Sequence, residues 1–63
     1  MSNSLELRDM AERLIARVDP CPEGTNDVQY RGDVAAEYGM GNADGYFCTI
    51  ENGVCIQKHE IPL

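Results

Sequence analysis

Basic residues are scarce in this sequence: five Lys and Arg stand against eleven Asp and Glu, a formal charge of -6 on 63 residues. A surface this negative repels phosphate, which argues against direct binding of DNA, RNA or anionic membranes. Basic surfaces attract it over about a Debye length, ~8 Å at physiological salt. Long apolar runs are also missing. None approaches the roughly 20 residues of a bilayer span, and Met1-Ser2-Asn3-Ser4 lacks the basic-then-apolar order of a secretory signal, so a cytoplasmic protein is expected. The three cysteines, Cys21, Cys48 and Cys55, are odd in number and irregularly spaced. They do not make a secreted disulfide framework and read as reduced, small and mostly buried. The chain is short enough for a single domain, residues 1–63, that buries only roughly 60% of its unfolded surface. A core of that size stabilises by about 3–5 kcal/mol, which favours a binding role over a strained catalytic pocket.

Motifs for chemistry are equally thin. Cys21, Cys48, Cys55 and His59 could in principle form a Cys3His zinc set, but the gaps between them are 26, 6 and 3 residues. Zinc sites draw paired ligands from tight knuckles instead. No basic or helix-start environment is visible that would lower a thiol pKa for nucleophilic catalysis. Met40 to Glu51 partly fits a calcium loop, with Asn42, Asp44, Gly45, Phe47 and Glu51 in place, but Met40 stands where the first ligand should be. Arg31-Gly32-Asp33 spells an integrin tripeptide in a chain with no export signal. No enzyme, cofactor or bound metal is therefore expected.

What is present is pattern. Leu7, Met10, Ala11, Leu14, Ile15 and Val18 fall at i, i+3, i+4, i+7, i+8 and i+11, which predicts an amphipathic helix from about Ser4 to Val18. Asn3, Ser2 or Ser4 could cap it, Asp9 and Arg13 would pair along it, and Pro20 would end it. Asp19 to Asp27 reads as a loop, Val28 to Arg31 as a strand, and Asp33 to Tyr38 as either a strand continuation or a helical turn ended by Gly39. Gly39 to Gly45 reads as a turn. Tyr46–Glu51 and Val54–His59 flank Asn52-Gly53, a two-residue hairpin signal. In simple register Tyr46, Cys48, Ile50, Cys55, Gln57 and His59 would share one face, and Phe47, Thr49, Glu51, Val54, Ile56 and Lys58 the other. The expected fold is α+β: an N-terminal amphipathic helix packed on a small antiparallel sheet that ends in a C-terminal β-hairpin.

The charge is unevenly placed. Residues 1–18 balance to zero, whereas Asp19, Glu23, Asp27, Asp33, Glu37, Asp44 and Glu51 face only Arg31 over residues 19–57. Such spacing supplies solubility, and it also suits an acidic surface that engages a Lys- and Arg-rich groove. Small size, acidity and those seven carboxylates resemble the phage-encoded anti-CRISPR proteins that act as DNA mimics. The resemblance is one of class and rests on no motif. It implies a monomeric inhibitor in the cytoplasm of a bacterial host, binding a basic surface such as that of a CRISPR effector complex and excluding DNA. On that reading the contact residues are Asp27, Asp33, Glu37, Asp44 and Glu51, with Tyr30 and Tyr38 as aromatic anchors. The alternatives are a small accessory or assembly subunit docking through Phe47, Val54 and Ile56 or through the helix stripe, and a Cys/His metal-binding protein.

Overall fold

A computed structural model describes residues 3–62. Its elements run β1 (Ser4–Asp9), β2 (Leu14–Val18), α1 (Asp27–Glu37), β3 (Gly45–Glu51) and β4 (Val54–Glu60). The four strands form one antiparallel sheet in the order β2-β1-β3-β4, an α+β arrangement with a single helix on one face. Among the described residues no helix is long and apolar enough to cross a membrane.

The expected N-terminal helix is instead the β1–β2 hairpin. Within β1 the residues alternate, Leu5 and Leu7 toward the helix and Glu6 away from it, and this local period of two prevails over the longer 3.6-residue series. Met10, Leu14 and Ile15, the middle of the expected stripe, are exposed. Asp9 closes the turn: its Oδ1 accepts from the backbone N–H of Ala11 and of Arg13, each at 2.9 Å, and Glu12 takes a positive φ of 65°. Asp9 and Arg13 do pair, Nε to Oδ2 at 3.1 Å, but across a turn rather than along a helix.

The expected strand Val28–Arg31 is the first half of α1. Asn26 caps it, its side chain accepting from Gln29 N–H at 3.0 Å, and Asp27 adds negative charge in the first turn. The open segment Asp33–Tyr38 continues the same helix, which ends at cap Tyr38 with Gly39 at φ 68°. The helix presses Val34, Ala35 and half-buried Tyr30 onto Leu5, Leu7 and Phe47, and fully buried Ile61 completes this core.

β3 and β4 are antiparallel neighbours joined at Asn52-Gly53, with Glu51 opposite Val54 and Ile50 opposite Cys55. One step further the register slips: Thr49 meets Gln57, Cys48 meets Lys58, Phe47 meets His59 and Tyr46 meets Glu60. Ile56 is the extra residue of a bulge. The slip moves every later β4 side chain to the other face, so Lys58 joins Tyr46 and Cys48 while Gln57 and His59 join Phe47 and Thr49. The contacts agree, since His59 Nε2 lies 2.8 Å from Thr49 Oγ1 and Lys58 Nζ stands over the Tyr46 ring.

Candidate functional site

Two surfaces carry the polar chemistry: the solvent side of α1 with its flanking loops, and the sheet face that no helix covers.

On the helix, 100° per residue places Tyr30, Asp33 and Glu37 within an arc of about 60°. Tyr30 donates its hydroxyl to the carbonyl of Asp19 at 2.6 Å, drawing the loop after β2 onto the same side. The phenol's pKa is pushed up, by burial first and then by the neighbouring Asp19, Cys21 and Glu37. Asp19 and Glu37 thus lie beside Tyr30, and Asp33 falls within the same arc of the helix. Of the other expected contact residues, Asp27 lies outside that arc and is held by Arg31 at 3.0 Å. Tyr38 caps the helix half-exposed. Asp44 is turned inward on its own loop, accepting from Gly41 N–H at 2.7 Å. Glu51 sits beside the β3–β4 turn, at the opposite end of β3 from Asp44, a strand length of roughly 20 Å away. The same separation takes Asp44 and Glu51 out of any shared calcium loop.

Two of the acids on α1 stand where they cost stability. Asp33 and Glu37 are like charges at i, i+4, each pair of this kind disfavouring a helix by about 0.2–0.5 kcal/mol. Glu37 is the last helical residue and there is no basic residue in the last turn, so it faces the negative end of the helix dipole.

The uncovered sheet face holds the cations. Glu6 is buried on it although no element lies above, because Arg8 and Arg17 fold over it: Arg8 Nη2 reaches Oε1 at 2.7 Å and Arg17 Nη2 reaches Oε2 at 2.9 Å. Hydrogen bonding from Arg8, and then from Arg17 against the opposing effect of burial, holds the Glu6 carboxyl below its ordinary range. In the same row of the sheet Cys48 is fully buried and Lys58 leans over Tyr46, 5.1 Å from the ring centroid. Burial pushes the Cys48 thiol up to about 11. Tyr46, Lys58 and Met10 also line a shallow cavity of about 260 Å³, smaller than the usual ~300–1,000 Å³ of a small-molecule site.

A consequence follows for the whole surface. All four arginines are held in ion pairs, with Glu6, Asp9 and Asp27. Among the described residues this leaves Glu12, Asp19, Glu23, Asp33, Glu37, Asp44, Glu51 and Glu60 without an ion pair, against the one cation Lys58. Glu12 and Glu60 were not among the seven carboxylates singled out in the sequence. Asp19 was, but its approach to Tyr30 depends on a loop crossing that no local pattern announces.

One expected docking residue is buried, and two motifs noted in the sequence fall apart from one another or inside the helix. Phe47, proposed as part of an apolar docking face, is fully buried beneath the helix, while Val54 and Ile56 remain exposed. Cys21 lies in the loop before α1, with its thiol toward the carbonyls of Pro22 and Thr25, and His59 is on the helix side of the sheet, so the Cys3His set does not converge. Among the described residues no group of three or more Cys, His, Asp or Glu side chains is placed to hold a metal. Arg31-Gly32-Asp33 lies within α1, with Arg31 tied to Asp27 and Gly32 close against Pro62.

No protein-family model, no curated protein and no solved structure matches this chain.

Proposed function

We propose that this protein is a non-catalytic, monomeric inhibitor that lays its acidic helix side against a basic nucleic-acid-binding surface and so excludes the nucleic acid, a CRISPR effector complex being the first such surface to test. The observation that carries the reading is the disposition of charge: the fold pairs every arginine internally and, among the described residues, leaves eight carboxylates without an ion pair. Asp19 and Glu37 lie beside Tyr30, whose ring packs on the core while its hydroxyl holds the Asp19 carbonyl, and Asp33 falls within the same arc of the helix. Carboxylates held there at a cost to the helix are what an anionic decoy of a phosphate backbone requires. Asp44 and Glu51, away from this patch, supply long-range attraction, while Asp27 is tied to Arg31 and Tyr38 caps the helix.

The test is displacement of a labelled DNA duplex from a purified effector at several salt concentrations. Competition should weaken steeply with salt, and the triple reversal Asp19→Lys, Asp33→Lys, Glu37→Lys should abolish it with the circular dichroism spectrum unchanged. A folded triple variant that competes as well as the parent ends the proposal.

A second reading, an accessory or assembly subunit, is favoured by the two edge strands, where Leu14 and Ile15 on β2 and Val54 and Ile56 on β4 stay exposed. Binding of that kind would survive high salt.

A further inference from the structure

We infer that Cys48 and Cys55 form a two-thiolate site for a soft, low-coordinate cation of the Cu(I) class on the uncovered sheet face. The inference is independent of the acidic-inhibitor reading and uses the opposite side of the molecule.

Cys55 stands opposite Ile50 and Cys48 opposite Lys58, so the two cysteines are on adjacent strands, on one face, and diagonal to each other across the bulge at Ile56. Diagonal positions have Cα atoms about 7–8 Å apart, beyond the usual ~4.4–6.8 Å of a disulfide. The register sets the two thiols on the same face of neighbouring strands, with the Cys55 thiol donating to the carbonyl of Gln57 on its own strand at 3.8 Å. A pair too widely set for an S–S bond of ~2.05 Å suits a bridging ion, since two metal–thiolate bonds of about 2.3 Å span ~4.6 Å from sulfur to sulfur.

The surroundings set the class of ion. No third Cys, His or carboxylate among the described residues completes a larger group, which disfavours four-coordinate zinc. Glu6 is the nearest carboxylate across β1–β3, and both its oxygens are occupied by Arg8 and Arg17. Thiolates alone select soft ions such as Cu(I). Two thiols binding one Cu(I) release two protons and leave a complex of charge -1. The cations on the Cys48 face are Lys58, directly opposite it on β4, and Arg8, diagonal to it on β1. Arg8 is engaged by Glu6, which leaves the ammonium of Lys58 to balance that single charge. Cys48 is fully buried and Cys55 half-buried, so the ion enters from the Cys55 side and is sheltered from water once bound.

The experiment uses the Cys21→Ser protein, which retains only these two thiols, titrated anaerobically with Cu(I) against a chromogenic chelator and weighed by native mass spectrometry. One Cu(I) per chain with loss of two protons is expected. Cys55→Ser in the same background, at a half-buried position that tolerates the change, should lower the affinity by at least the about tenfold that loss of even an outer-shell partner costs. Circular dichroism confirms its fold, and Cys48→Ser provides the reciprocal variant. Two equivalents bound per chain, no binding, or equal affinity in a folded Cys55→Ser protein would each overturn the inference.

Discussion

Glu6 and Arg17 face each other across β1 and β2, and their side chains meet at 2.9 Å on a sheet face with nothing packed above it. Together with Arg8 the pair turns an open face into a closed ionic lid. Because the Glu6 carboxyl is held below its ordinary value of 4.5, its contribution to stability is complete above that value and is lost as pH falls through the depressed one. Asp9, lowered chiefly by the backbone N–H of Arg13, has the same sign. Urea midpoints should therefore drop on acidification below pH about 4.5, and Glu6→Gln should flatten that dependence. At pH 7 the same variant should be about 1–3 kcal/mol less stable, because two arginines lose their shared acceptor. An unchanged acid profile in Glu6→Gln would remove Glu6 from the account.

Gly45 begins β3 so close to β1 that a Cβ there would collide with the carbonyl of Arg8, a backbone group that cannot step aside. Gly45→Ala should cost about 3 kcal/mol or more, comparable to the whole stability of a domain this small, and circular dichroism should show a largely unfolded chain. Gly41→Ala, whose added carbon meets only the Asp44 carboxylate at 3.6 Å, serves as the tolerated control.

Asn26 caps the start of α1 through its side chain. Asn26→Ala should lower stability by about 1 kcal/mol and Asn26→Asp should nearly preserve it, as read from thermal melts of the three proteins.

Glu37 offers a direct separation of stability from function. Glu37→Lys removes a like-charge neighbour from Asp33 and places a cation at the helix C-terminus, together worth about 0.5 kcal/mol or more. The midpoint of thermal unfolding should rise by about 2–4 °C. Competition with DNA for the basic partner should fall in the same protein. A variant that is both less stable and fully competitive would contradict both arguments.

Cys48 should be the last of the three thiols to be alkylated. It is fully buried and its thiol is pushed up to about 11, so little thiolate is available at pH 8. Mass-resolved alkylation over time, with peptide assignment of each adduct, measures the order.

Some of this architecture is local and could be read from neighbouring residues. Asn52-Gly53 sets the turn that follows β3, and the pairs beside it, Glu51 with Val54 and Ile50 with Cys55, are those a two-residue connection dictates. Gly39 supplies the left-handed residue that ends a helix, and the excess of carboxylates is a matter of composition. The Asp9–Arg13 ion pair also follows from spacing, since i, i+4 side chains can meet in a turn as well as in a helix.

The rest is decided by packing over long sequence separations. Residues 4–18 carry both a helical and an alternating pattern, and only the availability of β3 as a partner for β1, Leu7 beside Phe47, selects the strand. The bulge at Ile56 is invisible in the sequence, yet it exchanges the faces of Gln57, Lys58 and His59 and sets Lys58 over Tyr46 beside Cys48. Convergence of Asp19 with Asp33 and Glu37 likewise depends on Tyr30 reaching back to the loop after β2. Amino-acid order alone determined how much charge this protein carries and where several turns fall. Which charges are neutralised and which are left without an ion pair was decided by tertiary structure, because ion pairing depends on distances between strands that no local pattern contains.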